Sequence, residues 1–241
     1  DMHGNVWEWC ADWYGDYPAG AVRDPVGPAD GSDRVLRGGS WGSSAGLARS
    51  AYRSRDGPAY SSYNLGFRLS LRAVSKADSQ VQVPEKPRVA VSEKAGTAFT
   101  IRDLGLEMLW VKPGTFEMGS SSGSSDETPH MVTLTQGFYL GKYEVTQSQW
   151  EKVMGRNPSH FKGGDRPVEK VSWAEVTSFC NKLTASERAA GRLPAGMAYQ
   201  LPTEAQWEYA CRAGTKTVYA FGDSLMSRQA NISGGPGETT A

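Results

Sequence analysis

The chain has 241 residues, with 26 Lys and Arg balancing 26 Asp and Glu, and it carries eight Trp and ten Tyr beside 28 Gly. The balance leaves no basic field to collect phosphates, so nucleic acid is excluded as an expected partner, and no apolar run approaches the roughly 20 residues that span a bilayer. Large rings among many glycines describe a compact fold with little regular secondary structure, built around one good-sized core.

Residues 1–73 are rich in glycine and aromatic rings, with short strands such as RVLRGGSW (Arg34 to Trp41) and NLGFRLSLR (Asn64 to Arg72). They contain no helix long enough to bury those rings, so this stretch is not expected to fold alone. DGSD, from Asp30 to Asp33, reads as a turn. From Val74 to Ala98, VSKADSQVQVPEKPRVAVSEKAGTA, the large aromatics vanish while Lys, Glu, Ser and two prolines accumulate. That composition is a linker's.

Residues 99–241 open on strands. MLWVKPGTFEMGS reads as a hairpin in which Met108, Trp110, Phe116 and Met118 alternate around a Lys112-Pro113-Gly114 turn. SSSGSSDE, Ser120 to Glu127, lacks the lysine of a phosphate-binding loop and is expected as a solvated surface loop. Three helices are then announced by a hydroxyl residue followed three positions later by Glu or Gln: Thr146 with Gln149, Ser172 with Glu175, and Thr203 with Gln206. Trp173, Val176, Cys180 and Leu183 fall on one helical face, and Trp150, Val153 and Met154, then Trp207, Ala210 and Cys211, repeat the pattern as core stripes.

The three cysteines, Cys10, Cys180 and Cys211, form no CxxC pair and no metal spacing, and their neighbours suit buried thiols. His3, His130 and His160 are dispersed and are read as framework residues. Glu117 and Glu144 sit in strand-like contexts, and nothing in their spacing pairs them as acid and base.

GNVWEWCADWY (Gly4 to Tyr14), RVLRGGSW and NLGFRLS in the first part carry a resemblance. So do GTFEMGS, FYLGKYEVTQSQW, RPVEKVSWAEVTSFCNKL and LPTEAQWEYACRAGT in the second. Together they resemble the formylglycine-generating enzyme family, or sulfatase-modifying factors, which implies an α+β fold elaborated from a C-type lectin. In that family the hairpin and helices precede the GNVWEW and GGSW segments. Here 1–73 resembles the C-terminal portion of a domain and 99–241 the N-terminal portion, joined by the 74–98 linker. A tandem array, with the tail of one copy followed by the head of the next, is favoured over a circular permutation. The linker's reach of roughly 25 to 30 Å lets the halves close within one chain, and pairing of complementary halves between chains is the competing outcome.

The family's enzymes oxidise a sulfatase cysteine with oxygen and copper(I) held by two cysteines just after GGS. Counting from Gly38-Gly39-Ser40, those positions here are Ser43 and Ala48. A hydroxyl is a poor ligand for a soft ion and a methyl is none, so copper is not expected. The iron-dependent sulfoxide synthases of related fold need a histidine cluster that this chain lacks.

Trp7, Ser40 and Asn64 match positions lining the family's peptide or oxygen pocket. Structural calcium, held by hard oxygens, is implied at Asp1, Gly4, Val6 and Glu8, with a second site beginning at Asn231 and Ile232. The expectation is a non-catalytic module that holds a peptide or protein. An oxidoreductase acting on sulfatase cysteines with a divergent site is the alternative, and a purely structural unit a third reading. The compartment stays open; a soluble protein of the bacterial envelope, or a secreted one, is the setting considered.

Overall fold

The computed structural model describes residues 2–74, 96–226 and 228–233. Asp1 and most of the segment read as a linker lie outside the described residues.

The capping residues set the helices. In α1 (Gln147–Met154), α2 (Trp173–Ala189) and α3 (Glu204–Arg212) the hydroxyls of Thr146, Ser172 and Thr203 accept from the N–H three residues on. The side chains of Gln149, Glu175 and Gln206 accept in return from the cap's own N–H. The apolar stripes face inward as their spacing predicts: Trp150, Val176, Cys180, Leu183, Trp207 and Cys211 are buried. Trp150 lies flat on Phe179 at 5.3 Å, and Phe67 meets both rings edge-on.

The strands are β1 (Trp7–Trp13), β2 (Val22–Arg23), β3 (Arg34–Arg37), β4 (Ser54–Asp56), β5 (Leu65–Gly66) and β6 (Ser70–Ala73), then β7 (Phe99–Ile101), β8 (Leu106–Val111), β9 (Gly114–Met118), β10 (His130–Leu134), β11 (Phe138–Gly141) and β12 (Met197–Gln200). They form three sheets, ordered β4-β3-β1-β5, β2-β10-β9 and β12-β6-β11-β8-β7. The expected hairpin at Lys112-Pro113-Gly114 does not form. β8 pairs on both sides, with β7 and β11, so β9 leaves that sheet and pairs with β10. The Pro-Gly turn is a corner between two sheets, because no edge of β8 is left to receive β9.

The two parts of the chain interleave. β6 lies between β11 and β12, β2 runs parallel to β10, and Phe67, Leu69 and Leu71 share a core with Met108, Trp150 and Phe179. The deepest links are ionic. Arg37 reaches Glu208, both fully buried, and Arg53 forks onto Glu204 at 2.7 and 2.8 Å. Arg49 forks onto Glu127 at 2.8 Å for each arm, and Arg68 lies between Glu8 at 2.9 Å and Glu144 at 3.7 Å. Each of these arginines comes from the first part and meets a glutamate of the second.

The serine loop is therefore not wholly solvated as expected: Glu127 at its end is 1 % exposed, drawn inward by Arg49. Glu144 is buried beside Arg68 while Glu117 lies exposed on β9.

Glu208 also accepts from the Gly119 N–H and from Arg212, each at 2.8 Å. Glu208→Gln keeps its volume but leaves Arg212 without a counter-charge and Arg37 with Glu204 alone, at 3.6 Å. The expected loss in urea-unfolding free energy is about 3–5 kcal/mol. A loss below about 1 kcal/mol would show that this contact does not hold the two parts together.

Candidate functional site

The loop after β3 is shaped by two glycines. Gly38 (φ 93°) and Gly39 (φ 74°) are left-handed, and a Cβ on Gly39 would stand 3.1 Å from the Ala48 Cα and the Leu47 carbonyl. This tight reversal turns Ser40 inward to full burial. The Ser43 hydroxyl accepts from the Ser40 N–H at 3.0 Å and lies 3.1 Å from the Ser40 Oγ. Asn64 donates from Nδ2 to the same Ser40 oxygen at 3.3 Å, and its carbonyl accepts from the Trp7 N–H at 2.8 Å. Trp7 is half-buried at the start of β1, its ring 6.0 Å from that of Tyr52.

Trp7, Ser40, Ser43 and Asn64 thus stand in one hydrogen-bonded group. Ala48 stands apart from its hydroxyls: its methyl is buried with Tyr219 and Leu225 in a separate apolar cluster, and its carbonyl lies 2.8 Å from His3 Nδ1. Tyr52 and the exposed ring of Trp41 escaped the sequence reading. The signal for Trp41 was its place directly after Ser40.

The donors of this loop do not suit copper(I), since Ser43 offers a hydroxyl already engaged by Ser40 and Ala48 offers a methyl. Cys10, Cys180 and Cys211 are all buried, as expected, and burial pushes the Cys180 and Cys211 thiols up to about 12. His3, 3.6 Å from Cys211 through Nε2, has its pKa lowered by burial against the opposing pull of its bond to Ala48. His130 is buried against Tyr17, while His160 is exposed beside Phe161.

The calcium set is only partly brought together. Gly4 and Asn231 form a parallel bridge, and the Asn231 carbonyl accepts from the Asn5 N–H at 2.7 Å. Ile232 follows at the edge of the same contact: a Cβ on Gly4 would stand 2.7 Å from its side chain. Val6 is buried, and Asp1 lies outside the described residues. The Glu8 carboxylate accepts from Arg68 and from the Trp207 indole, each at 2.9 Å, so a cation there would share it with a guanidinium.

The family model described as "Sulfatase-modifying factor enzyme 1-like domain" matches residues 1–73 and 97–237. The chain belongs to this family. Its fold is accordingly the α+β fold of the formylglycine-generating enzymes. It is 36% identical over 143 residues to a protein named chaperone protein LppX from Paenibacillus barcinonensis, covering 46% of this chain and 47% of that one. It is 50% identical over 72 residues to the formylglycine-generating enzyme of Streptomyces coelicolor, covering 28% and 23%. The chain thus spans less than half the length of these curated relatives. Among solved structures, Treponema denticola variable protein 1 is similar at 29% identity and a TM-score of 0.44, over 51% of this chain and 58% of that one. Among the described residues, no helix is long and apolar enough to cross a membrane.

Within this sulfatase-modifying-factor domain, one carboxylate on β1 is tuned by burial. Asp12 on β1 accepts from the Glu204 N–H at 2.8 Å, where α3 begins. Full burial, and next the charge of Glu204, raise its pKa from 3.8 to about 7. Between about pH 4 and 7 the folded chain therefore keeps a proton that the unfolded chain has lost, so this group's contribution falls as pH rises across that window. Asp12→Asn retains an acceptor for the Glu204 N–H and removes that dependence. Urea unfolding at pH 5 and pH 8 should show a smaller stability difference in the variant than in the parent. Equal pH slopes would rule out Asp12 as the source.

Proposed function

We propose that this domain is a non-catalytic member of its family that uses the surface around Trp7, Ser40 and Asn64 to hold an extended peptide or a loop of another protein. The observation that carries the reading is the replacement of the family's cysteine pair by Ser43 and Ala48. The first accepts from the Ser40 N–H and lies against the Ser40 hydroxyl, and the second fills an apolar cluster. What persists at the surface is chemistry for holding a ligand, a half-buried indole and a half-buried amide, the amide held from beneath by the buried Ser40 and Ser43 pair and both anchored on β1 and β5. Rigid presentation of such groups favours binding, because little ordering is required when the ligand arrives. The similarity to a protein named as a chaperone agrees with a role in handling another polypeptide.

Oxygen uptake measured with the purified chain, copper(I) and a cysteine-containing sulfatase peptide separates this reading from an oxidase. No peptide-dependent consumption is expected, and consumption would overturn the proposal. Binding of the same peptide, labelled with fluorescein, should weaken about fivefold or more in Asn64→Ala; binding unchanged in that variant would remove the groove from the reading.

Ser43→Cys combined with Ala48→Cys should confer copper(I) binding under reducing conditions, since two thiolates then replace a hydroxyl and a methyl. A folded double variant that leaves copper(I) unbound would contradict the assignment of those two positions.

A further inference from the structure

Beside the Ser40 and Asn64 group three large rings stand together in solvent. Trp41 is 37% exposed, Tyr63 51% and Phe161 41%. Their centroids lie 5.9 Å (Trp41 to Tyr63), 5.8 Å (Trp41 to Phe161) and 6.0 Å (Tyr63 to Phe161) apart, the last two pairs edge-to-face. Exposed rings in mutual contact are unlike the single apolar residues scattered over any surface, and aromatic anchors of this kind dominate protein recognition sites.

The rings are held from beneath. The Trp41 N–H donates to the Asn5 carbonyl at 2.8 Å. Tyr63 sits between Ser62, whose carbonyl accepts from the Lys170 N–H at 2.9 Å, and Asn64, which is fixed to Ser40. The Phe161 N–H donates to buried Glu169 at 2.8 Å, and its carbonyl accepts from buried Gln147 at 2.9 Å. The platform is therefore assembled from both parts of the chain, and backbone bonds to buried side chains fix the loop that carries Phe161.

The charge along that loop has one sign in excess. Lys162, Arg166 and Lys170 are exposed, against the single exposed carboxylate of Asp165. The Lys162 ammonium donates to the Asn157 carbonyl at 3.0 Å, and among the described residues no carboxylate lies within ion-pair distance of the three cations. Three cations are too few to track a nucleic-acid backbone, whose binding rests on many phosphate contacts. They suit a few carboxylates placed beside an apolar anchor.

We propose that this aromatic and basic platform docks an acidic peptide segment carrying one large apolar side chain, the anchor lying on Trp41, Tyr63 and Phe161 and the carboxylates toward Lys162, Arg166 and Lys170. The proposal extends the groove reading, on which it rests for the view that the ligand is a polypeptide. It names the composition of the ligand where it leaves the groove.

Fluorescence polarisation with three labelled probes tests it. One carries a phenylalanine flanked by glutamates, one replaces that phenylalanine by alanine, and one replaces the glutamates by lysines. The first should bind most tightly and weaken as salt is raised, since the charges are exposed. Phe161→Ala should cost about tenfold in affinity and Lys170→Glu several-fold, on the order expected for an anchor and a rim charge. Both side chains are exposed, so the melting temperature serves as a check that the fold is intact.

Equal or tighter binding of the lysine probe would overturn the proposal, as would tighter binding of a single-stranded oligonucleotide. Binding of the glutamate probe that is lost in Asn64→Ala but untouched by Phe161→Ala would overturn this platform and leave the groove reading standing. The converse pattern, sensitivity to Phe161→Ala with indifference to Asn64→Ala, would support the platform while removing the groove.

Discussion

The pairing of arginines from one part of the chain with glutamates from the other is the constraint on which the rest of this structure depends. Arg37, Arg53 and Arg68 meet Glu208, Glu204 and Glu144 at positions closed to water, and half-buried Arg49 reaches the buried Glu127; Arg49 and Arg53 do so as planar forks. An unpaired guanidinium or carboxylate at such depth costs several kcal/mol, so neither side can be buried without the other. The pairing also sets geometry, because a fork accepts its carboxylate in few orientations. Three indoles carry the same logic in neutral form. Trp9 donates to the Val171 carbonyl, Trp173 to that of Cys10 and Trp207 to Glu8, each joining the first part of the chain to the second.

This arrangement explains why the site is well fixed although little of it is regular structure. Ser40 lies three residues beyond Arg37 and Asn64 four before Arg68, so both polar groups hang from short lengths of chain whose far ends are pinned in the interior. Between them the two left-handed glycines let the backbone turn within contact distance of Ala48. The result is a half-buried Asn64 amide already oriented over the buried Ser40 and Ser43 hydroxyls.

The local signals of the sequence were legible because their physics is local. Three capping boxes marked three helix starts, and apolar spacing marked the buried faces of α1, α2 and α3. The fold class and family were carried by long motifs. What escaped reading depends on distant partners. The Pro113 turn looked like a hairpin because nothing local reveals that both edges of β8 are taken. Glu127 looked solvated because Arg49 stands 78 residues away. The bonds of Glu8 to Arg68 and Trp207 were hidden because both partners are remote in sequence. At the candidate site, Ser40 and Asn64 could be named from their motifs, whereas their shared hydrogen bond, and the ring cluster of Trp41, Tyr63 and Phe161, emerge only when two parts of the chain meet.

The place of β6 bears on how the protein is made. That strand is flanked by β11 on one side and by β12, beginning at Met197, on the other. About 120 residues separate it from the second of these neighbours, and at roughly 5–20 residues per second the ribosome needs on the order of 6 to 25 s to deliver them. Throughout that interval Leu69 and Leu71, which end among the most deeply buried side chains, wait for the sheet that this chain builds around them. Where β6 takes its partners from this chain alone, an apolar, strand-forming segment is held in waiting during synthesis, open to aggregation and to the cell's holding factors.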